Sequence, residues 1–339
     1  MATYFSTFPA GAESIVEKGL HKLDSGVLVA SKHSGMVIYE SKLPIADIEK
    51  IRFFNNSFSL LYEIKGTPTL REMLNKLRTD ELFIKELRKV VPDKARTFKI
   101  VASVENQNVV MPPIQRKKLE IYIADETRLS LSPQHPNNEI WIIQRKEGFV
   151  LVGLRLTYTD PSIYKSKKGE LSPQMANIMC QVSEPSPNDI VLDPFAGYGG
   201  IVFERAKAFP YKKIIAIEKD SNLVRKMKER AKSFDTNLLI EQGNAGSLKL
   251  ADKSVNVIIT DPPWGIYERG INGDIEVLYQ KMLEEFRRVL TKEGRLIVLT
   301  GAKDIFEEIL KHISNLKMIA KNDVLVSGKK AAIYKVVKL

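Results

Sequence analysis

The run Asp189-Ile190-Val191-Leu192-Asp193-Pro194-Phe195-Ala196-Gly197-Tyr198-Gly199-Gly200, followed by the helical pattern Ile201, Val202, Glu204, Arg205 and Ala206, constrains the fold most. A short apolar segment, a glycine turn and a helix in that order predict a strand that feeds a helix through a loop open to close ligand approach. This is the opening unit of an open α/β sheet, in which ligands bind beyond the carboxyl ends of the strands. A dinucleotide fingerprint would need glycine at position 202, where Val202 stands, so that ligand class is disfavoured.

Three further features narrow the chemistry. Asp193, four residues before Gly197, suits a ligand that presents a cation, and S-adenosylmethionine carries an α-ammonium group beside its sulfonium. The strand-like Lys213-Ile214-Ile215-Ala216-Ile217 ends in Glu218, placed to accept both hydroxyls of a ribose. The apolar run Val255-Asn256-Val257-Ile258-Ile259-Thr260 leads into Asp261-Pro262-Pro263-Trp264. Two prolines cannot continue a sheet, so the chain leaves the strand sharply with Asp261 at its carboxyl end. A carboxylate, stiff carbonyls and an indole at one strand end can hydrogen-bond an exocyclic amino group and stack on its base. Taken alone, Pro-Pro after a strand is also an ordinary turn.

These residues resemble the class I S-adenosylmethionine-dependent methyltransferases over roughly the last half of the chain. The resemblance implies a Rossmann-like sheet and S-adenosyl-L-methionine as cofactor, held by Asp193, Phe195, Ala196, Gly197, Gly199, Glu218, Lys219, Asn244, Ala245 and Asp261. Ser172 and Gln174, at a helix start that matches a segment beside the methionine part of the cofactor, are secondary candidates. Asn244 departs from the family, where Asp is common; its amide oxygen can still accept a bond from adenine, without the charge. Asp261, Pro262, Pro263 and Trp264 match the family's Asp/Asn-Pro-Pro-aromatic motif, which implies catalysis of methyl transfer to an exocyclic or amide nitrogen. The stretches Val324-Leu325-Val326 and Ala332 to Val337, joined by Ser327-Gly328-Lys329-Lys330, read as the terminal hairpin of such folds.

Composition fits this placement. A chain of 339 residues is expected to form two or three domains. Cys180 is the only cysteine, which excludes an intramolecular disulfide and a cysteine zinc cluster and suits a reducing compartment. His21, His33, His135 and His312 lack metal-ligand spacing, so no metal is expected. No basic, apolar leader and no membrane-length apolar run is present, and a soluble, cytoplasmic protein is expected. The formal net charge of +11 suggests a polyanionic partner. Residues 1–168 hold 26 Lys+Arg against 19 Asp+Glu, and the remainder 26 against 22, so the excess lies mainly outside the catalytic half. Arg116, Lys117, Lys118, Arg145, Lys146, Lys165, Lys167, Lys168 and Arg269 are candidate phosphate contacts, although most surface charges are simply solvated faces.

The first half alternates short helices and strands. Strands at 3–7, 26–30, 36–39 and 59–64 with helices at 12–23 and 46–51 suggest a ferredoxin-like unit over residues 1–66. Helices at 70–77 and 81–90, and strands at 98–103, 118–122, 140–143 and 149–152, suggest a second α+β unit over 67–157. This second unit, through Pro136 to Ile143 and Gly148 to Leu156, resembles the RNA-binding THUMP domain, which grips the acceptor end of transfer RNA. A basic linker over 158–171 precedes the catalytic domain at 172–339. The domain order resembles the transfer RNA guanosine N2-methyltransferases and implies transfer RNA as partner and guanosine 6 or 10 as target. The Trp form of the tetrapeptide leans towards position 10. An adenine-N6 DNA methyltransferase, a protein glutamine methyltransferase and a noncatalytic RNA-binding protein that keeps the cofactor fold remain alternatives.

Overall fold

The computed structural model describes residues 1–92, 94–157, 170–234, 237–265 and 275–339. Residues 158–169 of the expected linker over 158–171, with Lys165, Lys167 and Lys168, lie outside the described residues, as does the segment 266–274 with Arg269.

The amino-terminal part runs β1 (Ala2–Thr7), α1 (Glu13–Leu23), β2 (Leu28–His33), β3 (Met36–Ser41), α2 (Ile45–Ile48) and β4 (Asn56–Lys65). It continues through α3 (Leu70–Thr79), α4 (Glu81–Val90), β5 (Thr97–Val104), β6 (Gln107–Asn108), α5 (Pro113–Thr127), β7 (Ser130–Leu131), β8 (Asn138–Arg145) and β9 (Phe149–Arg155). These strands form one sheet in the order β2-β3-β1-β4-β9-β8-β5-β6, with β7 beside β5. Residues 1–66 and 67–157 thus contribute strands to one continuous sheet, because β4 pairs with β9 from Phe58↔Arg155 to Lys65↔Phe149. Tyr4, Ser59 and Leu154 occupy successive paired positions and share a side, on which the helices pack. The opposite side carries its own apolar layer of Phe5, Met36, Ile38, Phe58 and Leu151, in which the Phe5 and Phe58 rings stack at 4.6 Å.

Most elements start where the sequence signals it. Thr69 and Glu72 close a reciprocal capping box on α3, and Asp80 caps α4 through Leu82 N–H. One expectation fails: residues 118–122 are helical, within α5, and not a strand. Leu119, Ile121 and Ile123 alternate like a strand, but Pro113 opens a helix, Arg116 and Glu120 pair four residues apart, and only Leu119 and Ile123 are buried. Ile121 stays exposed, which produced the misleading period. The second strand also lies slightly later than expected, at Leu28–His33, and α2 ends early, at Ile48.

The carboxyl-terminal part is built from α6 (Pro173–Val182), β10 (Ile190–Asp193), α7 (Gly200–Ala208), β11 (Lys213–Glu218), α8 (Ser221–Ala231), β12 (Leu238–Gln242), β13 (Val255–Thr260), α9 (Ile275–Val289), β14 (Leu290–Thr300), α10 (Lys303–His312), β15 (Leu316–Val326) and β16 (Lys329–Lys338). Its seven strands are ordered β12-β11-β10-β13-β14-β16-β15, parallel except at the terminal hairpin. Helices cover both faces, so the central strands are apolar without alternation, as in Val257-Ile258-Ile259. This is the expected Rossmann-like α/β sheet. Its strand order reverses between β10 and β13, and the crevice at their carboxyl ends is the position such sheets use for ligands.

The two parts share a core. One apolar cluster runs from Tyr4, Val16 and Leu20 through Met179 and Cys180 of α6 to Val202, Ile259 and Val324. Polar ties reinforce it: Arg52 grips Glu204 of α7 with both guanidinium arms (Nε to Oε1 2.7 Å), Asn177 donates to the same carboxylate, and Leu325 N–H donates to Ala10 O. Gly11 fits against β15 at φ +93°, where a Cβ would lie 1.9 Å from the Asp323 carbonyl oxygen.

Candidate active site at the carboxyl ends of the central strands

The glycine turn after β10 is held by its own backbone and by two acids. Ala196 N–H donates to Ile217 O and Gly199 N–H to Ala196 O, which folds the turn back onto β11. Gly199 sits at φ +83°, and a Cβ there would meet Phe203 at 2.5 Å, so only glycine opens α7 in this way. Gly197 also has positive φ and nothing within 4 Å of where a Cβ would stand. Glu218, at the tip of β11, accepts from Gly197 N–H (2.8 Å) and Asp220 N–H (2.9 Å) and is partly exposed. The start of α6 joins the turn from the side. Ser172 caps α6 through Met175 N–H, and the Leu171 carbonyl would lie 3.3 Å from a Cβ on Gly200.

Asp193, expected at the cofactor, lies beneath the turn. It is 2% exposed, and its Oδ1 accepts from Phe195 N–H (3.2 Å) and from the Thr260 hydroxyl (3.1 Å), which links the ends of β10 and β13. Burial, with smaller contributions from the Asp261 and Glu218 carboxylates, outweighs those two bonds and pushes its pKa up to about 8. The carboxyl thus holds the turn together from beneath.

Beyond Glu218, a groove of about 330 Å³ is lined by Lys219, Gln242, Gly243, Asn244, Ser247 and Leu248, among others. Asn244 Oδ1 accepts from Gly246 N–H at 2.9 Å, so the side chain shapes its own turn, while Ala245 is buried beneath it. Phe195 and Gln174 are both partly exposed. The glycine turn, Glu218 and this groove are adjacent along one sheet edge, and an adenosyl group with its ribose on Glu218 fits that arrangement.

At the end of β13, Asp261 is partly exposed and accepts from the Trp264 indole N–H at 2.9 Å. Pro262 is buried, and the Pro263 carbonyl accepts from the Tyr279 hydroxyl of α9 (3.0 Å). The Tyr279 oxygen lies 2.7 Å from Thr300 Oγ1 at the end of β14, and Thr300 Oγ1 accepts from Ala302 N–H. Since Tyr279 has one proton, spent on Pro263, Thr300 donates to Tyr279. Sequence reasoning missed Tyr279, Thr260 and Thr300. The available signal was position, since Thr260 and Thr300 end neighbouring strands of the parallel sheet.

Residues 164–332 match the family model described as RMKL-like, methyltransferase domain. The carboxyl-terminal half is an RMKL-like methyltransferase domain. A relative named tRNA (guanine(10)-N2)-dimethyltransferase, from Methanothermobacter thermautotrophicus, is 30% identical over 129 residues, which is 38% of each chain. The Bos taurus tRNA (guanine(6)-N(2))-methyltransferase THUMP3 is 27% identical over 205 residues, covering 55% of this chain and 40% of the relative. The chain thus aligns with less than half the length of either relative. TrmN from Thermus thermophilus superposes over 100% of both chains with a TM-score of 0.79 at 19% identity, which shows a shared fold. In the RMKL-like domain, the matched segment includes the glycine turn, Glu218 and the Asp261–Trp264 turn.

The expected cations divide in two. Lys117, Lys118 and Lys146 are exposed, and Arg116 is exposed but paired with Glu120. Arg145 corrects the expectation of a phosphate contact. It is 5% exposed and donates to Ser34 O, Asn106 Oδ1 and Glu147, so it clips three turns of the first sheet together. Among the described residues no group of three His, Cys, Asp or Glu could hold a metal, and no helix is long and apolar enough to cross a membrane.

Proposed function

We propose that this chain transfers a methyl group from S-adenosyl-L-methionine to the exocyclic N2 of a guanosine in transfer RNA. The observation that carries the reading is the Asp261-Pro262-Pro263-Trp264 turn at the strand reversal, beside a glycine turn and a ribose-type acid. The names of the archaeal and bovine relatives support guanine N2 as acceptor and positions 10 and 6 as the sites to examine.

The cofactor, when bound, supplies an electrophilic methyl on sulfonium. Glu218 would hold the ribose, the glycine turn would admit the ligand backbone-close, and Asn244 with Ala245 would line the adenine. A duplex guanine is out of reach, so the base would be flipped out, at a cost of a few kcal/mol, roughly, that stacking and hydrogen bonds must offset. Trp264 would contribute a stack of about 1–3 kcal/mol. The guanine amino lone pair is conjugated into the ring and becomes nucleophilic as the nitrogen pyramidalises. Asp261 and the Pro262 carbonyl would accept its two N–H bonds and favour that geometry. The methylated nitrogen is acidic, so Asp261 acts by orientation and electrostatic stabilisation and need not be a strong base.

In this reading residues 1–66 and 67–157 act as ferredoxin-like and THUMP units that grip the RNA in the cytoplasm, with Lys117, Lys118 and Lys146 facing phosphates. The test is incubation of the purified chain with labelled S-adenosylmethionine and unmodified transfer RNA, followed by nucleoside digestion, mass spectrometry and site mapping. Label in N2-methylguanosine is expected. Label in N6-methyladenine of DNA, or none in any RNA, would overturn the acceptor.

A further inference from the structure

Trp264 is placed by a residue that has no side chain. Gly301 follows directly after β14, and the atoms nearest to where its Cβ would stand are carbons of the Trp264 six-membered ring: Cε3 at 2.5 Å, Cδ2 at 3.0 Å and Cζ3 at 3.1 Å. No real Cβ tolerates the first of these, so any side chain at 301 must move the indole. The indole is not loose at its far end. Its N–H is on Asp261 Oδ1, and the neighbouring Pro263 carbonyl is held by Tyr279, itself fixed by Thr300 one residue before Gly301. The end of β14 therefore acts on the 261–264 turn twice, through the hydroxyl relay from Thr300 and through the gap at Gly301. Gly301 φ is not in the positive region that demands glycine, so backbone conformation gives no reason for glycine there; the space taken by the indole does.

We infer that Gly301 is a positioning residue for the acceptor turn: its missing Cβ lets the Trp264 indole lie against β14 while its N–H orients the Asp261 carboxylate. This rests on the reading of Asp261 as the group that orients the acceptor nitrogen. Gly301 touches neither cofactor nor acceptor in this scheme and acts through Trp264.

The experiment uses the full chain carrying Trp141→Phe, which leaves Trp264 as the single tryptophan of the two in the sequence. In that background Gly301→Ala should red-shift Trp264 emission and raise its quenching by acrylamide. It should lower kcat on transfer RNA about tenfold or more, with the dissociation constant for S-adenosylmethionine changed less than twofold. Trp264→Ala in the same background, alone and with Gly301→Ala, completes a double-mutant cycle: once the indole is gone, Gly301→Ala should cost nothing further in kcat. If Gly301→Ala alone fails to fold, Trp264→Ala should restore folding by removing the clash. Unchanged Trp264 emission, or losses that simply multiply, would overturn the inference. An inactive parent chain with the expected emission shift would instead sink the proposed reaction and leave the positioning of Trp264 standing.

Discussion

Asp193 and Asp261 end neighbouring parallel strands, and the sheet treats them differently. Asp193 is sealed beneath the glycine turn, bonded to Thr260 and Phe195 N–H, with a pKa pushed up to about 8 by burial. Asp261 is partly exposed and faces an indole N–H. Identical side chains one strand apart thus meet different surroundings, one buried under a loop and one partly open to solvent beside an indole. The difference lies in what each carboxylate meets: the Phe195 N–H and the Thr260 hydroxyl in a buried site at β10, and the Trp264 indole in a partly open one at β13.

The sharpest way to break this contrast is Asp261→Ala. It should reduce kcat about 100- to 1,000-fold or more while cofactor affinity stays within twofold, as read by methyl incorporation and equilibrium dialysis. An equal fall in cofactor affinity would mean that Asp261 serves the cofactor as well as the acceptor. Arg52→Ala comes next, because it strips a charge-assisted grip from Glu204 on the helix that the glycine turn opens. A loss of about 1.5–3 kcal/mol in urea unfolding is expected. Glu204 itself is 3% exposed, so the loss cannot be made up by water.

Asp193→Asn sharpens the contrast through pH. An acid whose folded pKa lies above its ordinary value of 3.8 favours the fold at low pH, and that contribution disappears as pH rises through about 8. Melting temperature of the native chain should therefore carry a component that falls between about pH 4 and pH 8, and the Asn variant should lack it. The smallest effects concern the cations. Lys117→Ala and Lys118→Ala should each reduce the salt slope of transfer RNA binding by roughly 0.9 while leaving unfolding unchanged. Arg145→Ala should do the reverse, since its charge is spent on Ser34, Asn106 and Glu147.

Much of the catalytic half is legible in the sequence because its signals are local. Strand-plus-glycine at 189–200 and strand-plus-proline at 255–264 require no partner to be recognised, and both fall at the ends of β10 and β13. The amino-terminal half is less legible. Residues 118–122 alternate like a strand, and packing of Leu119 and Ile123 against the sheet, with Pro113 at the helix start and the Arg116–Glu120 pair, decides for a helix. Nor does sequence separate the nine strands into one sheet, since β4 reaches β9 across 84 to 97 positions, from Lys65↔Phe149 to Phe58↔Arg155. The burial of Asp193 and Arg145 is equally invisible. Both look like ordinary charged residues until the elements around them close. Tyr279 and Gly301 act at a site formed by residues 261–264, so their part appears only when α9 and β14 are brought alongside it.

The joint between the two halves contains the chain's only thiol. Cys180 is fully enclosed in α6, amid the apolar cluster that α1 shares with the catalytic sheet, and burial pushes its pKa up. A thiol reagent reaches that sulfur only while the joint is apart. Labelling at Cys180 thus clocks the separation of the two halves, with no foreign probe installed.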